Sequence, residues 1–241
     1  MTRWSRELAA FVTASLATPV SRPPADNREH LARRRIAAGV TLVCGAAVLA
    51  YSLRIRPGDP RFYLATLLLA AVWTIGALSS GSLHIGWAET RAGTHVVRPV
   101  VQPLVLGLLL LGIFSAGALV IARVPELRDP VATLLDHAGQ GSLPVVVLLV
   151  ALNCVAEELY FRGALYTAVL DTHPVVVTTA FYTAATAAGG IPLLAFAGLV
   201  LGAVTALQRR VTRGVLAPIL THLTWTLGML FVLPPILDFA R

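Results

Sequence analysis

Apolar residues fall in blocks near 36–53, 62–79, 100–122, 143–161, 174–188, 191–208 and 214–237, with arginine, glycine and proline gathered between them. A helix crossing the hydrocarbon core of a bilayer needs about 20 mostly apolar residues, so the pattern predicts about seven membrane-spanning helices. The fourth block continues past a charged end to about Leu170. The fifth opens at Pro174 and the sixth at Pro192, and proline at the first helical position loses no hydrogen bond. Gly189-Gly190 leaves room only for an antiparallel hairpin between those two helices. The predicted fold is all-α, a polytopic transmembrane helix bundle.

Ahead of the first block, Trp4, Leu8, Phe11, Val12 and Leu16 recur near helical spacing with Arg3 and Arg6 between them, as in a helix lying in the membrane interface. A signal peptide is the rival reading, and Glu7 and the shortness of the apolar run argue against it. Ser21 to Arg35, with Pro23-Pro24 and Arg33-Arg34-Arg35, is a polar, basic lead-in. Residues 1–35 are therefore set apart as a basic N-terminal interfacial segment, and residues 36–241 as the membrane domain.

Composition agrees with a bilayer as the main solvent. The 241 residues are 56% hydrophobic and 13% charged, against about a quarter charged in soluble domains. The net charge is +7, and all 19 basic residues are arginines lying between apolar blocks, which suits anionic lipid headgroups rather than nucleic acid. With the N-terminus cytoplasmic, Arg3, Arg6, Arg22, Arg28, Arg33, Arg34, Arg35, Arg91, Arg98, Arg162, Arg209, Arg210 and Arg213 fall inside. That is about thirteen against six outside, the positive-inside asymmetry, with Arg54, Arg56 and Arg61 as its weak point. The expected location is a bacterial plasma membrane. Cys44 and Cys154 lie inside apolar blocks without CxxC spacing, so neither a disulfide framework nor a thiolate metal site follows.

The concentrated polar chemistry is Glu157-Glu158 with Arg162. A charged side chain at bilayer depth costs about 2.5–3.5 kcal/mol on insertion scales, so two adjacent carboxylates require a compensating role. Glu158 and Arg162 stand four apart with the acid first, the favourable order for a helical ion pair. Glu157 points about 100° away and is left without a fixed counter-charge, the situation of a general base working near neutral pH. Asn153, one turn earlier, is a candidate hydrogen-bond partner for it. His222 alone among the histidines falls well inside an apolar block, which makes it the expected partner of Glu157. Pro218 one turn before His222 and Thr226 one turn after it suggest a loosened, polar stretch of helix.

Glu157-Glu158-Leu159-Tyr160-Phe161-Arg162 resembles the EExxxR signature of the CAAX-protease and bacteriocin-processing (CPBP, or Abi) family of intramembrane proteases. Gly198-Leu199-Val200-Leu201-Gly202 and the run Arg213 to His222 resemble that family's last two core helices, so the likeness covers residues 143–230. The resemblance implies hydrolysis of a peptide bond by water that Glu157 activates, with Glu158 held by Arg162 and His222 as an oxyanion or proton-handling group. It implies a peptide or protein substrate, lipidated in part of the family, and membrane lipids as surroundings. Two positions depart from the pattern. Ala185 stands where the family carries its middle histidine, and Thr226 where asparagine is usual. Loss of a positioned acid/base group typically costs 10²–10⁴-fold in rate, and His173, about 18 Å of helix rise from Ala185, is too distant to substitute.

Two readings follow: an endopeptidase in which His222 does double duty, and a catalytically impaired relative that binds a lipidated or helical partner as a membrane scaffold. No cofactor is expected. A divalent metal is the weaker alternative, since two carboxylates and one histidine fall short of the three ligands, usually led by histidine, of a catalytic zinc. The plain alternative for the acidic pair and Arg162 is a helix-end ion pair at the membrane surface, and for His222 an interhelical hydrogen bond. Gly198, Gly202, Ala203 and Ala206 are expected to let helices approach closely, Cys154 to pack, and Tyr160, Phe161, Tyr182 and Trp225 to serve as packing or interfacial anchors. A transporter would show an inverted repeat, and none is evident.

Overall fold

The computed structural model describes residues 3–21, 31–89 and 95–239. Arg22, Pro23, Pro24, Arg28, His30 and Arg91, which entered the sequence reading, lie outside the described residues. The chain runs α1 (Arg3–Leu16), α2 (Leu31–Ser52), α3 (Arg61–Ser80), β1 (Ala88–Glu89), β2 (Val96–Val97), α4 (Val101–Ile121), α5 (Pro125–Gly139) and α6 (Leu143–Glu158). A π-helical segment (Leu159–Leu165) carries α6 into one further turn, α7 (Tyr166–Ala168), before α8 (Pro174–Ala187), α9 (Pro192–Thr212) and α10 (Leu216–Phe239). Six helices are long and apolar enough to cross a membrane, the fourth being Leu143–Ala168 taken as one rod of 26 residues. The fifth predicted span, α8, has 14 residues, about 21 Å of rise, and falls short of a ~30 Å hydrocarbon core.

α8 and α9 begin where Pro174 and Pro192 predict, and α6 likewise carries Pro144 in its first turn. Gly190 takes a φ of 77° in the turn joining α8 to α9, a conformation that favours glycine. The small residues of α9 do let the hairpin close: a Cβ on Gly198 would strike Thr186, and one on Gly202 would lie 3.1 Å from Tyr182 Cδ1. α2 and α3 pair in the same manner, with Gly45 against the Trp73 indole and Gly76 against Thr41.

Two features were not foreseen. α5, between α4 and α6, is a short helix with Pro125 in its first turn. It docks by His137, a buried ring that stacks on Phe62 at 4.0 Å and has its Nε2 3.0 Å from the Ile55 carbonyl oxygen. His137 stands outside the apolar blocks of the sequence, and the last turn of α5 carries it into the bundle. The other feature is a strap made of residues 81–89 and 95–100. Val215 and Leu216 donate backbone N–H groups to the carbonyls of His84 and Ile85, Trp87 donates to Thr212, and Arg98 covers the Trp87 ring at 3.8 Å. Gly86 (φ 93°) and Gly214 meet backbone to backbone there, with no room for a Cβ.

The strap, α1 and the turn at Arg213 thus form one end of the bundle. Val20 donates to Val211, and the Ser21 amide donates to Glu89 at 2.7 Å, which holds that carboxyl below its ordinary pKa. The loop from Leu53 to Pro60, α5 and the α8–α9 turn form the other end, with Leu53 against Gly189. Between the ends, Trp73 of α3 stacks on Tyr160 at 4.6 Å, and Phe161 and Tyr182 continue this row of rings edge to face toward α10. The core therefore gathers around the segment after Glu158, and the charged cluster sits against it.

Candidate active site

Glu157 and Glu158 close α6, but the rod does not end there. It runs ten residues further to Ala168, about 15 Å of rise, so the acids lie well inside the bundle. The plain alternative, a helix-end ion pair at the membrane surface, therefore does not describe the pair. Glu158 and Arg162 are both 0% exposed.

The π-helical turns follow the acids directly. Every residue from Tyr160 to Ala168 is buried, because α2, α3, α8 and α9 enclose this stretch on all sides. A π-segment displaces backbone carbonyls from the regular ladder, a feature frequent at functional sites. Here the Arg162 carbonyl accepts from Arg209 Nε at 2.8 Å, and Arg209 also lies over the Tyr166 ring. Arg209, buried near the end of α9, thus braces the turn that carries Arg162.

Glu158 is the hub. Its Oε1 accepts from Arg162 Nη1 at 3.0 Å and from His222 Nδ1 at 2.8 Å. A carboxylate only accepts, so Nδ1 carries the proton in this contact and Nε2 is the second, separate functional atom of the ring. Arg162 Nη2 reaches the Gly202 carbonyl at 3.1 Å, and its guanidinium lies 4.6 Å over the Tyr182 ring. The expected ion pair of Glu158 with Arg162 is present. The expected pairing of Glu157 with His222 is replaced by His222 with Glu158, because α10 meets α6 on the face where Glu158 points.

Glu157, about 100° around the helix, is partly exposed, and its hydrogen bond among the described residues comes from Tyr182 Oη to Oε2 at 2.8 Å. Asn153 does not serve it: its amide donates to the carbonyls of Thr66 and Leu149. Cys154 is buried one turn before Glu158 on α6. Tyr182 was read as a packing or interfacial anchor, and its buried hydroxyl instead meets the acid. One signal pointed there, since Tyr182 lies one turn before Ala185, where the family resemblance places a histidine.

His222 and Thr226 lie on an unbroken α10. Pro218 falls in the first turn of that helix, where its missing N–H removes no ladder bond, so the stretch is not loosened as expected. Thr221 fixes the turn by donating to the Pro103 carbonyl at 2.9 Å while accepting from Gln208 Nε2. Thr226 Oγ1 and Trp225 Nε1 are buried without a hydrogen-bond partner among the described residues. Both residues line an apolar chamber of about 550 Å³ between α4, α5, α6, α9 and α10, with Phe114, Leu149 and Val200 among its walls. Ala185 is packed in the core, and His173 is exposed at the start of α8, remote from it as predicted. Among the described residues no group of three or more His, Cys, Asp or Glu is placed to hold a metal ion.

Residues 139–228 match the family described as Rce1-like, type II CAAX prenyl endopeptidase. Over that stretch the chain is similar to CAAX prenyl endopeptidases, and six of its helices are long and apolar enough to cross a membrane. The matched segment begins at the end of α5 and takes in α6, the π-segment, α8, α9 and α10 through Thr226, so it contains every residue of the cluster. It nearly coincides with the 143–230 stretch on which the likeness was first read, and the CPBP resemblance is borne out. No curated protein and no solved structure matches the chain.

Proposed function

We propose that the protein is an intramembrane endopeptidase that hydrolyses a peptide bond with water activated by Glu157. The observation that carries this reading is the division of labour between adjacent acids: Glu158 is fully buried with Oε1 shared by Arg162 and His222, whereas Glu157 is partly exposed and accepts from the neutral Tyr182 hydroxyl. In the reaction Glu157 takes one proton from water, and the hydroxide oxygen bonds to the peptide carbonyl carbon. The C–N bond then breaks as that proton passes to the leaving nitrogen, giving a carboxylic acid and an amine. His222, oriented through Nδ1 by Glu158, has Nε2 available to the carbonyl oxygen or the leaving group. Thr226, one turn on, has an uncommitted hydroxyl with which to stabilise the oxyanion.

The substrate is a peptide or protein segment reaching this depth from the membrane, lipidated in keeping with the family. The N-terminus is cytoplasmic, which places the arginines of α1, Arg98, Arg210 and Arg213 at the inner surface. A specific observation supports a second reading: Ala185 leaves the middle histidine position without an acid/base group, as in a relative that binds the same partner without cleaving it.

The test is hydrolysis of a farnesylated CAAX-type peptide by the full chain in proteoliposomes. Wild type cleaves and Glu157→Gln loses at least ~10²-fold in kcat/KM. Equal activity in both overturns the role of Glu157. Binding of the peptide with no cleavage by wild type establishes the scaffold reading instead.

A further inference from the structure

Tyr182 is held more firmly than a packing residue needs. Its ring is 4% exposed, lies on the Arg162 guanidinium at 4.6 Å, meets Phe161 edge to face at 4.8 Å, and backs onto Gly202, where any side chain would crowd it. Those contacts aim the hydroxyl at Glu157 Oε2, 2.8 Å away. They also connect the site's two halves, because the guanidinium under the ring is the one that binds Glu158.

The position is informative as well. Tyr182 precedes Ala185 by three residues on α8, about 4.5 Å of rise and 60° of rotation, so the two share a helix face. Ala185 is sealed in the core with no polar atom to offer. A longer side chain one turn earlier delivers an O–H to the acid beside which that turn sits. We propose that Tyr182 is the positioning residue of the site, holding Glu157 by one carboxylate oxygen so that the other faces the attacking water, in place of the missing histidine at Ala185. This inference rests on the peptidase reading above for its consequence, but the contact it names is independent of that reading.

A general base works only when its free oxygen is held in the productive orientation, and a loosened base loses rate rather than substrate affinity. Tyr182→Phe keeps the ring, its stacking on Arg162 and the packing against Gly202, and removes only the hydroxyl. It is expected to lower kcat about 10–100-fold with KM within about twofold. In a Tyr182→Ala background, adding Ala185→His places an imidazole beside the vacated space and is expected to recover kcat at least ~10-fold over Tyr182→Ala alone. Wild-type kcat in Tyr182→Phe, with Glu157→Gln inactive, overturns the inference while leaving the peptidase reading intact.

The contact itself is read without turnover. In protein labelled with 13C-carboxyl glutamate, the infrared carboxylate band that disappears in Glu157→Gln belongs to Glu157. Its shift in Tyr182→Phe supports the hydrogen bond, and an unmoved band overturns the inference whether or not any peptide is cleaved.

Discussion

Charged pairs occur in two places in this molecule, and they do different things. At the rim, Arg61 folds back on Asp59 at 2.6 Å and Arg35 reaches Asp171 at 2.5 Å, with the Arg35 and Asp171 side chains 49% and 43% exposed. In the interior, Glu158, Arg162 and His222 make contacts of similar length with almost no exposure. Distance alone does not distinguish them; solvent does. Exposed pairs are screened and contribute about 0–1 kcal/mol or less, whereas removing one partner of a buried pair leaves an uncompensated charge at a loss of about 3–5 kcal/mol. The interior cluster is accordingly maintained by a second layer of buried contacts, Arg209 on the π-segment and the glycine of α9 under Arg162.

The sharpest break of this contrast is Arg162→Ala, which strands Glu158. A loss of about 3–5 kcal/mol is expected, read as a large fall in folded yield and in Tm in detergent. Replacing both members, Glu158→Leu with Arg162→Met, should destabilise less than Arg162→Ala alone, because no charge is then stranded. A smaller effect is expected for Arg209→Ala, which leaves the Arg162 carbonyl without its donor, at about 1.5–3 kcal/mol for a bond from a charged group. Hydrogen exchange should quicken first at the amides of the π-segment. Gly202→Ala gains about 1 kcal/mol of helix propensity but sets a methyl 3.1 Å from a ring that stacking and a hydrogen bond hold in place. A net loss of about 1 kcal/mol is expected, and a rise in Tm would show that Tyr182 yields.

The least effect belongs to the rim. Asp59→Asn should leave the melting curve of the protein at neutral pH unchanged within error. The side-chain hydrogen bond from Arg61 holds the Asp59 carboxyl below its ordinary value of 3.8. Its folded pKa being depressed, the contribution is present above that value and disappears as pH falls through the lower folded one. Any small difference between wild type and variant should therefore be constant above pH 5 and shrink only in acid.

The sequence alone was enough for the bundle, because block length, arginine spacing and prolines at helix starts are local constraints that a bilayer enforces on any chain. α8 and α9 open at the prolines that announced them. The i, i+4 pair of Glu158 with Arg162 was equally legible, since helix geometry sets it. What was not legible is which acid meets the histidine. Glu157 and Glu158 are neighbours in sequence, and only the face on which α10 packs against α6 hands His222 to Glu158 and leaves Glu157 to Tyr182. The π-segment, the docking of α5 by His137 and the strap across the Arg213 turn were hidden for the same reason. Each satisfies backbone or ring groups with partners far away in the chain, and no periodicity in the chain encodes a partner that only packing brings near.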